Sequence, residues 1–173
     1  MVCLQYHFYS YLANTTSLYP QGKRIISADQ EGFLIFWDPR SPSPIFKLTP
    51  DDARFNLDGI TSVGVNPSST LAIVGGAAGG VRVVSLSKGE VVATLGGHTE
   101  GESIEAIEFV ELTGSASSGP GVVITGATDG KALIWDLSTM RLRATLQHEV
   151  GIYFSSTVCA QSNYDYFAAN RTL

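Results

Sequence analysis

The stretch GVVITGATDGKALIWD, Gly121 to Asp136, decides how this chain is read. Val122, Val123 and Ile124 form one apolar run, and Ala132, Leu133, Ile134 and Trp135 form a second. Ala127-Thr128-Asp129-Gly130 separates them. β-Branched and aromatic residues on both sides of a short polar, glycine-containing break predict two antiparallel strands joined by a tight turn. Gly130 can take a positive φ without steric cost, and the Asp129 carboxylate can accept from nearby backbone N–H groups.

Two earlier stretches repeat this pattern: GKRIISADQEGFLIFWD, Gly22 to Asp38, and STLAIVGGAAGGVRVVSL, Ser69 to Leu86. Aligned on Gly32, Gly80 and Gly130, they recur 48 and 50 residues apart, with Trp37, Ser85 and Trp135 at one equivalent position. A further apolar strand follows each hairpin, at Ile45–Leu48, Val91–Leu95 and Leu142–Leu146. Repetition at one period outweighs any single match, because chance would have to supply it twice.

The chain of 173 residues is long enough for one domain with a sizeable core, and 44% hydrophobic residues with 18 glycines suit a compact, turn-rich β fold. A net charge of −5 argues against nonspecific phosphate binding and favours a basic partner. Cys3 and Cys159 are too few for a disulfide scaffold and fit a reducing compartment. No apolar run approaches a membrane span, and the first residues lack a cationic leader and a clean cleavage site, so neither a membrane partner nor a signal peptide is expected. Asn14-Thr15-Thr16 and Asn170-Arg171-Thr172 match a glycosylation pattern, read here as chance.

Residues 1–20 match no repeat; they supply either an outer or first strand of an incomplete unit, or an irregular cover. Residues 21–148 carry the repeats. The first unit holds Lys23–Ala28, Phe33–Trp37 and Ile45–Leu48, with the proline-stiffened turn Asp38–Pro44 between the last two. Thr49 to Gly59 reads as a polar connection. The second unit holds Ile60–Val65, Thr70–Val74, Val81–Leu86 and Glu90–Leu95. The third holds Ser103–Val110, the Gly121–Asp136 hairpin and Arg141–Leu146, with a Gly/Ser-rich insertion at Gly114–Pro120. Residues 149–173 form a divergent or truncated C-terminal segment.

The expected fold is all-β, with about three four-stranded blades of a β-propeller. Trp37-Asp38, Trp135-Asp136, Gly97-His98 and Asp129-Gly130 resemble the marks of WD repeats. That resemblance implies structural roles for Trp37, and for a buried hydrogen-bonding set of His98, Thr125, Asp129 and Trp135. Ser85 departs from it at the tryptophan position, Gly79 at the turn aspartate, and the first unit carries Glu31 before Gly32. Three blades do not close a ring, so the chain reads as a segment of a longer propeller, or one completed by self-association.

No pattern predicts an enzyme, a metal or a cofactor. His7, His98 and His148 lack zinc-ligand spacing, and neither cysteine has a CxxC partner. Gly75–Gly80 lacks the Lys-Ser/Thr of a phosphate loop and lies between two strands, not before a helix. Adjacent Asp51 and Asp52 do not define a separation suited to hydrolysis.

Acidic residues instead gather in the connections: Asp51, Asp52 and Asp58 before the second unit, then Glu100, Glu102, Glu105, Glu108 and Glu111. Equivalent connections of a propeller share a face, so Asp51, Asp52, Asp58, Glu100 and Glu102 are expected on one rim. Such a surface would attract a basic peptide; Arg24, Arg54 and Arg82 do not gather into a nucleic-acid patch. The runs Pro39–Leu48, Asp51–Gly76, Val81–Leu95, Gly101–Ile107 and Ala127–Ala132 resemble the fungal WD-repeat chaperone of ribosome assembly and the related angio-associated migratory cell protein family. The resemblance implies a non-enzymatic, mainly cytoplasmic factor that shields a basic large-subunit ribosomal protein before its delivery to a ribosomal precursor. A general WD-repeat scaffold for another complex, and a nonfunctional fragment of a longer propeller, are the alternatives.

Overall fold

A computed structural model describes residues 15–18, 24–110 and 121–148. The described residues form three antiparallel sheets of four consecutive strands each. The first contains β1 (Thr15–Leu18), β2 (Ile25–Ala28), β3 (Leu34–Trp37) and β4 (Pro44–Leu48). The second contains β5 (Ile60–Val65), β6 (Leu71–Gly76), β7 (Val81–Ser85) and β8 (Glu90–Leu95). The third contains β9 (Ile104–Val110), β10 (Val122–Ala127), β11 (Lys131–Asp136) and β12 (Arg141–Gln147).

β1 pairs with β2 from Thr15↔Ala28 to Leu18↔Ile25, so part of the unmatched N-terminal stretch is the first strand of blade 1. The first strands β1, β5 and β9 lie side by side, which puts them at the inner end of each blade. The last strands β4, β8 and β12 are outermost, and every residue of β12 is exposed.

Two cores fill the gaps between blades. Ile26, Ala28, Leu34, Phe36 and Leu48 of blade 1 meet Ile60, Ala72, Val74, Val84 and Val91 of blade 2. On the other face of blade 2, Ile73, Val81, Val83 and Leu95 meet Ile104, Val123, Leu133 and Trp135 of blade 3. Alternate residues of β6 thus serve opposite cores, and this is why β6 and β7 read as unbroken apolar runs. The Thr61 and Ser62 hydroxyls both donate to the Ile104 carbonyl, at 2.7 and 2.8 Å, tying the inner strands of blades 2 and 3.

The register of the second unit differs from the sequence alignment. Positive φ falls at Gly32, Gly79 and Gly130, so Gly79 is the turn glycine and not Gly80; the true spacings are 47 and 51 residues. A backbone bulge against the outer strand immediately precedes Trp37, Val84 and Trp135. Val84, fully buried, therefore occupies the tryptophan position, and Ala78 the turn-aspartate position. Ser85 corresponds to the aspartate that follows tryptophan. It accepts the Lys88 N–H at 3.4 Å, as Asp136 accepts those of Ser138 and Thr139. At Gly79 a side chain would be strained by φ +84° and would meet the Thr99 carbonyl oxygen at 2.6 Å.

The connection 49–59 is also not simply polar: Phe55 and Leu57 are buried in it. Leu57 fills space that Gly76 and Gly80 leave open, since a Cβ there would stand 3.0 and 2.8 Å from its Cδ2. Arg82 pins the same connection, donating from Nε to the Arg54 carbonyl at 2.9 Å and from Nη2 to that of Asn56 at 3.1 Å.

Candidate interaction face and its buried anchor

Four residues of blade 3 form one directed chain of hydrogen bonds. The Trp135 indole N–H donates to Thr125 Oγ1 at 3.0 Å, and the Thr125 hydroxyl faces His98 Nε2 at 2.8 Å. His98 Nδ1 faces the Asp129 carboxylate at 3.2 Å. With Asp129 ionised, the consistent assignment is a neutral imidazole carrying its proton on Nδ1. Burial drives the His98 pKa below its ordinary value, and Asp129 offsets this only in part. Burial acts to raise Asp129, but the N–H groups of Thr99 and Lys131 together with His98 outweigh it and hold the carboxyl at about 2. The set joins the connection before β9 to the β10–β11 hairpin, with the His98 and Asp129 side chains only 1% and 2% exposed.

Blade 1 keeps half of this arrangement. The Trp37 indole donates to Ser27 Oγ at 2.9 Å, across the same ten-residue separation as Trp135 and Thr125. Ser27 was not singled out from sequence, though the spacing to tryptophan would have found it. Blade 2 has Val74 and Val84 instead, both fully buried. The backbone link survives the exchange: Ala77 N–H donates to the Gly59 carbonyl, as Thr128 N–H does to that of Ser103, each at 3.0 Å.

These links place the connections 49–59 and 96–103 at one end of the blades, beside the β2–β3, β6–β7 and β10–β11 turns. Ile60 N–H donates to the Asp29 carbonyl, and Gly101 N–H to that of Ala78, so each connection also leans on the turn of the blade before it. Asp51, Asp52, Asp58 and Glu100 all lie on this rim and are exposed. Exposed Glu31 joins them from the β2–β3 turn, where sequence reading saw only a departure from the repeat.

Glu102 is different, because its Oε2 accepts the Thr128 hydroxyl, while Thr128 Oγ1 accepts the Ser103 N–H. It secures the connection. Glu105 is half-buried on β9. Glu108, opposite Ile124 on that strand, is pushed up to about 7 by burial. Glu111 lies outside the described residues. Arg54 brings one exposed cation to the rim, its N–H bonded to Asp52 Oδ1 at 2.9 Å. A cleft of about 220 Å³ opens there, lined by Gln30, Asp58, Gly59, Ile60, Thr61 and Ala77.

Among the described residues, no group of three His, Cys, Asp or Glu side chains could hold a metal ion. No helix of the described residues is long and apolar enough to cross a membrane.

Repeated four-stranded blades, a tryptophan anchor at the hairpin in blades 1 and 3, and its link to the preceding connection define a segment of a WD-repeat β-propeller. In sequence the chain is similar to the angio-associated migratory cell protein. The Canis lupus familiaris form is 32% identical over 141 residues, covering 77% of this chain and 32% of that protein. The Homo sapiens form is 31% identical over 141 residues, with the same coverages of 77% and 32%. An uncharacterized WD repeat-containing protein of Schizosaccharomyces pombe is 28% identical over 137 residues, covering 76% of this chain and 32% of that protein. The chain thus spans about a third of the length of the curated relatives it matches. The crystal structure of the RRP9 WD40 repeats superposes with a TM-score of 0.70 at 12% identity, covering 83% of this chain and 41% of that one. The structure of U3-55K gives 0.69 at 12% identity, covering 83% and 42%. No family model matches the chain.

Proposed function

We propose that this chain is a non-enzymatic protein-binding segment whose acidic rim holds a basic segment of a large-subunit ribosomal protein in the cytoplasm. Shielding that client before ribosome assembly is the role the reading assigns. One observation carries it: Glu31, Asp51, Asp52, Asp58 and Glu100 are exposed at the same end of adjacent blades, with Arg54 as the one exposed arginine in those connections. Several like charges on one face raise the local concentration of an oppositely charged peptide and accelerate its approach. The cleft beside Asp58 can take the aliphatic stem of a lysine or arginine while the carboxylate meets its head group. The likeness of the loop sequences to the ribosome-assembly chaperone family supports the choice of client.

The test is association of a basic ribosomal-protein peptide with the native chain and with a variant carrying Asp51→Ser, Asp52→Ser, Asp58→Ser and Glu100→Ser. Glu102 is left in place because it holds Thr128. The variant should keep its β signature, associate more slowly and show a flatter salt dependence, with dissociation less changed. Equal association rates at low and high salt in both proteins would overturn the acidic-rim reading.

A further inference from the structure

The turn between β3 and β4 lies at the opposite end from the acidic rim and reads Asp38-Pro39-Arg40-Ser41-Pro42-Ser43-Pro44. Residues 39–45 are all exposed. Asp38, the residue after β3, forms a bidentate pair: Arg40 Nε and Nη2 donate to its two oxygens at 2.9 and 2.7 Å. Arg24 Nη1 donates to the same carboxylate. Two guanidinium groups thus surround one carboxylate immediately beside Ser41, a local positive excess in a chain of net charge −5.

We propose that Ser41 is a phosphoacceptor for a proline-directed serine/threonine kinase, and that Arg40 receives the phosphate. A kinase must draw its acceptor into an extended segment, and a following proline biases the acceptor toward that conformation. Little holds Ser41 back: its N–H donates to the Asp38 carbonyl at 2.9 Å, and its Oγ accepts the Ser43 N–H at 3.3 Å. Ser43 also precedes a proline, but Pro44 is already paired with Trp37 in the ladder. Aligning Ser43 in a kinase would peel β4 from its sheet, and Thr49, which precedes Pro50, is half-buried with its carbonyl accepting the Asp52 N–H at 3.0 Å, so Ser41 is the acceptor.

In the transfer, Ser41 Oγ bonds to the γ-phosphorus of ATP as the bond from that phosphorus to the β–γ bridging oxygen breaks. ADP leaves, and the hydroxyl proton passes to the kinase's base. The product carries about −1.5 to −2 charge and three strong acceptors next to Arg40, whose side chain is 79% exposed. Phosphate then competes with Asp38 for the guanidinium, while Arg24 stays on Asp38.

The experiment treats the native chain with a purified proline-directed kinase and magnesium-ATP, and maps phosphate by fragmentation mass spectrometry. A single phosphate on Ser41 is expected in the native chain and in Ser43→Ala, with loss in Ser41→Ala and slower incorporation in Pro42→Ala. Phosphorus NMR should then give a lower second phosphate pKa in the native chain than in Arg40→Gln. Absence of phosphate from the native chain, or labelling that persists in Ser41→Ala, overturns the site. Equal phosphate pKa values in the native chain and Arg40→Gln overturn Arg40 as its receiver.

Discussion

Replacing Thr125 with valine removes one oxygen and nearly nothing else. That oxygen serves two groups, accepting from Trp135 Nε1 and facing His98 Nε2. Thr125 is fully buried, Trp135 is 3% exposed, and the His98 side chain 1%, so water cannot replace the lost partner. Leaving a buried polar group unsatisfied costs about 1–3 kcal/mol, so two should cost about 2–5 kcal/mol together. In blade 1 the equivalent Ser27→Ala also strips an indole of its acceptor, but Trp37 and Ser27 are only half-buried and water can step in. There the expected loss is about 0.5–1.5 kcal/mol. Urea unfolding followed by indole fluorescence and circular dichroism measures both. With a slope of about 2 kcal/mol per molar urea, Thr125→Val should lower the midpoint by about 1–2.5 M. Ser27→Ala should lower it by well under 1 M, roughly. Thr125→Ser keeps the hydroxyl and should stay close to the native midpoint. The reasoning fails if Thr125→Val unfolds no earlier than Ser27→Ala.

Other consequences are equally direct. His98 has a folded pKa below its ordinary value of 6.5, so the unfolded chain takes the proton first, and stability present above about pH 6.5 falls as pH drops below it. Asp129, at about 2 against an ordinary 3.8, adds a second loss between about pH 4 and 2. Urea midpoints across pH should show both falls, and Asp129→Asn should shrink the lower one, which Asp38 and Asp136 share because hydrogen bonds hold their carboxyls below the ordinary value as well. Gly79→Ala should destabilise by more than about 1 kcal/mol, because its φ of +84° disfavours any side chain. Gly80→Ala should be milder, since its added Cβ meets only the ends of two side chains, Leu57 Cδ2 at 2.8 Å and Arg82 Nη1 at 3.4 Å, and the same titration ranks the two. Leu57→Ala should cost about 2–4 kcal/mol through the cavity between blades, whereas Asp58→Ser on the surface should stay within about 0.5 kcal/mol.

The blades were legible because each hairpin is a local pattern of two apolar runs around a glycine-containing turn, with a tryptophan in the first and third. The second register was not, because the twin glycines Gly79 and Gly80 offer two turns of similar local quality. Which of them takes the positive φ is decided by the close approach of Thr99, twenty residues on, and by where the outer strand bulges. Nor could Phe55 and Leu57 be recognised as core residues: their neighbours are polar, and the space Leu57 fills is made by missing side chains at Gly76 and Gly80. The four polar residues of blade 3 were readable because the repeat brings them together. The capture of Glu102 by Thr128 was hidden, since a loop acid that faces solvent and one that braces a turn look alike in sequence.

The most direct test of the proposed role is competitive capture from a native eukaryotic cytoplasmic extract. Immobilised native chain and the Asp51→Ser, Asp52→Ser, Asp58→Ser, Glu100→Ser variant are compared at low salt by quantitative mass spectrometry. The account predicts that one free basic large-subunit ribosomal protein is enriched on the native chain and lost from the variant. Equal retention of that protein by both, or enrichment of none, would contradict it.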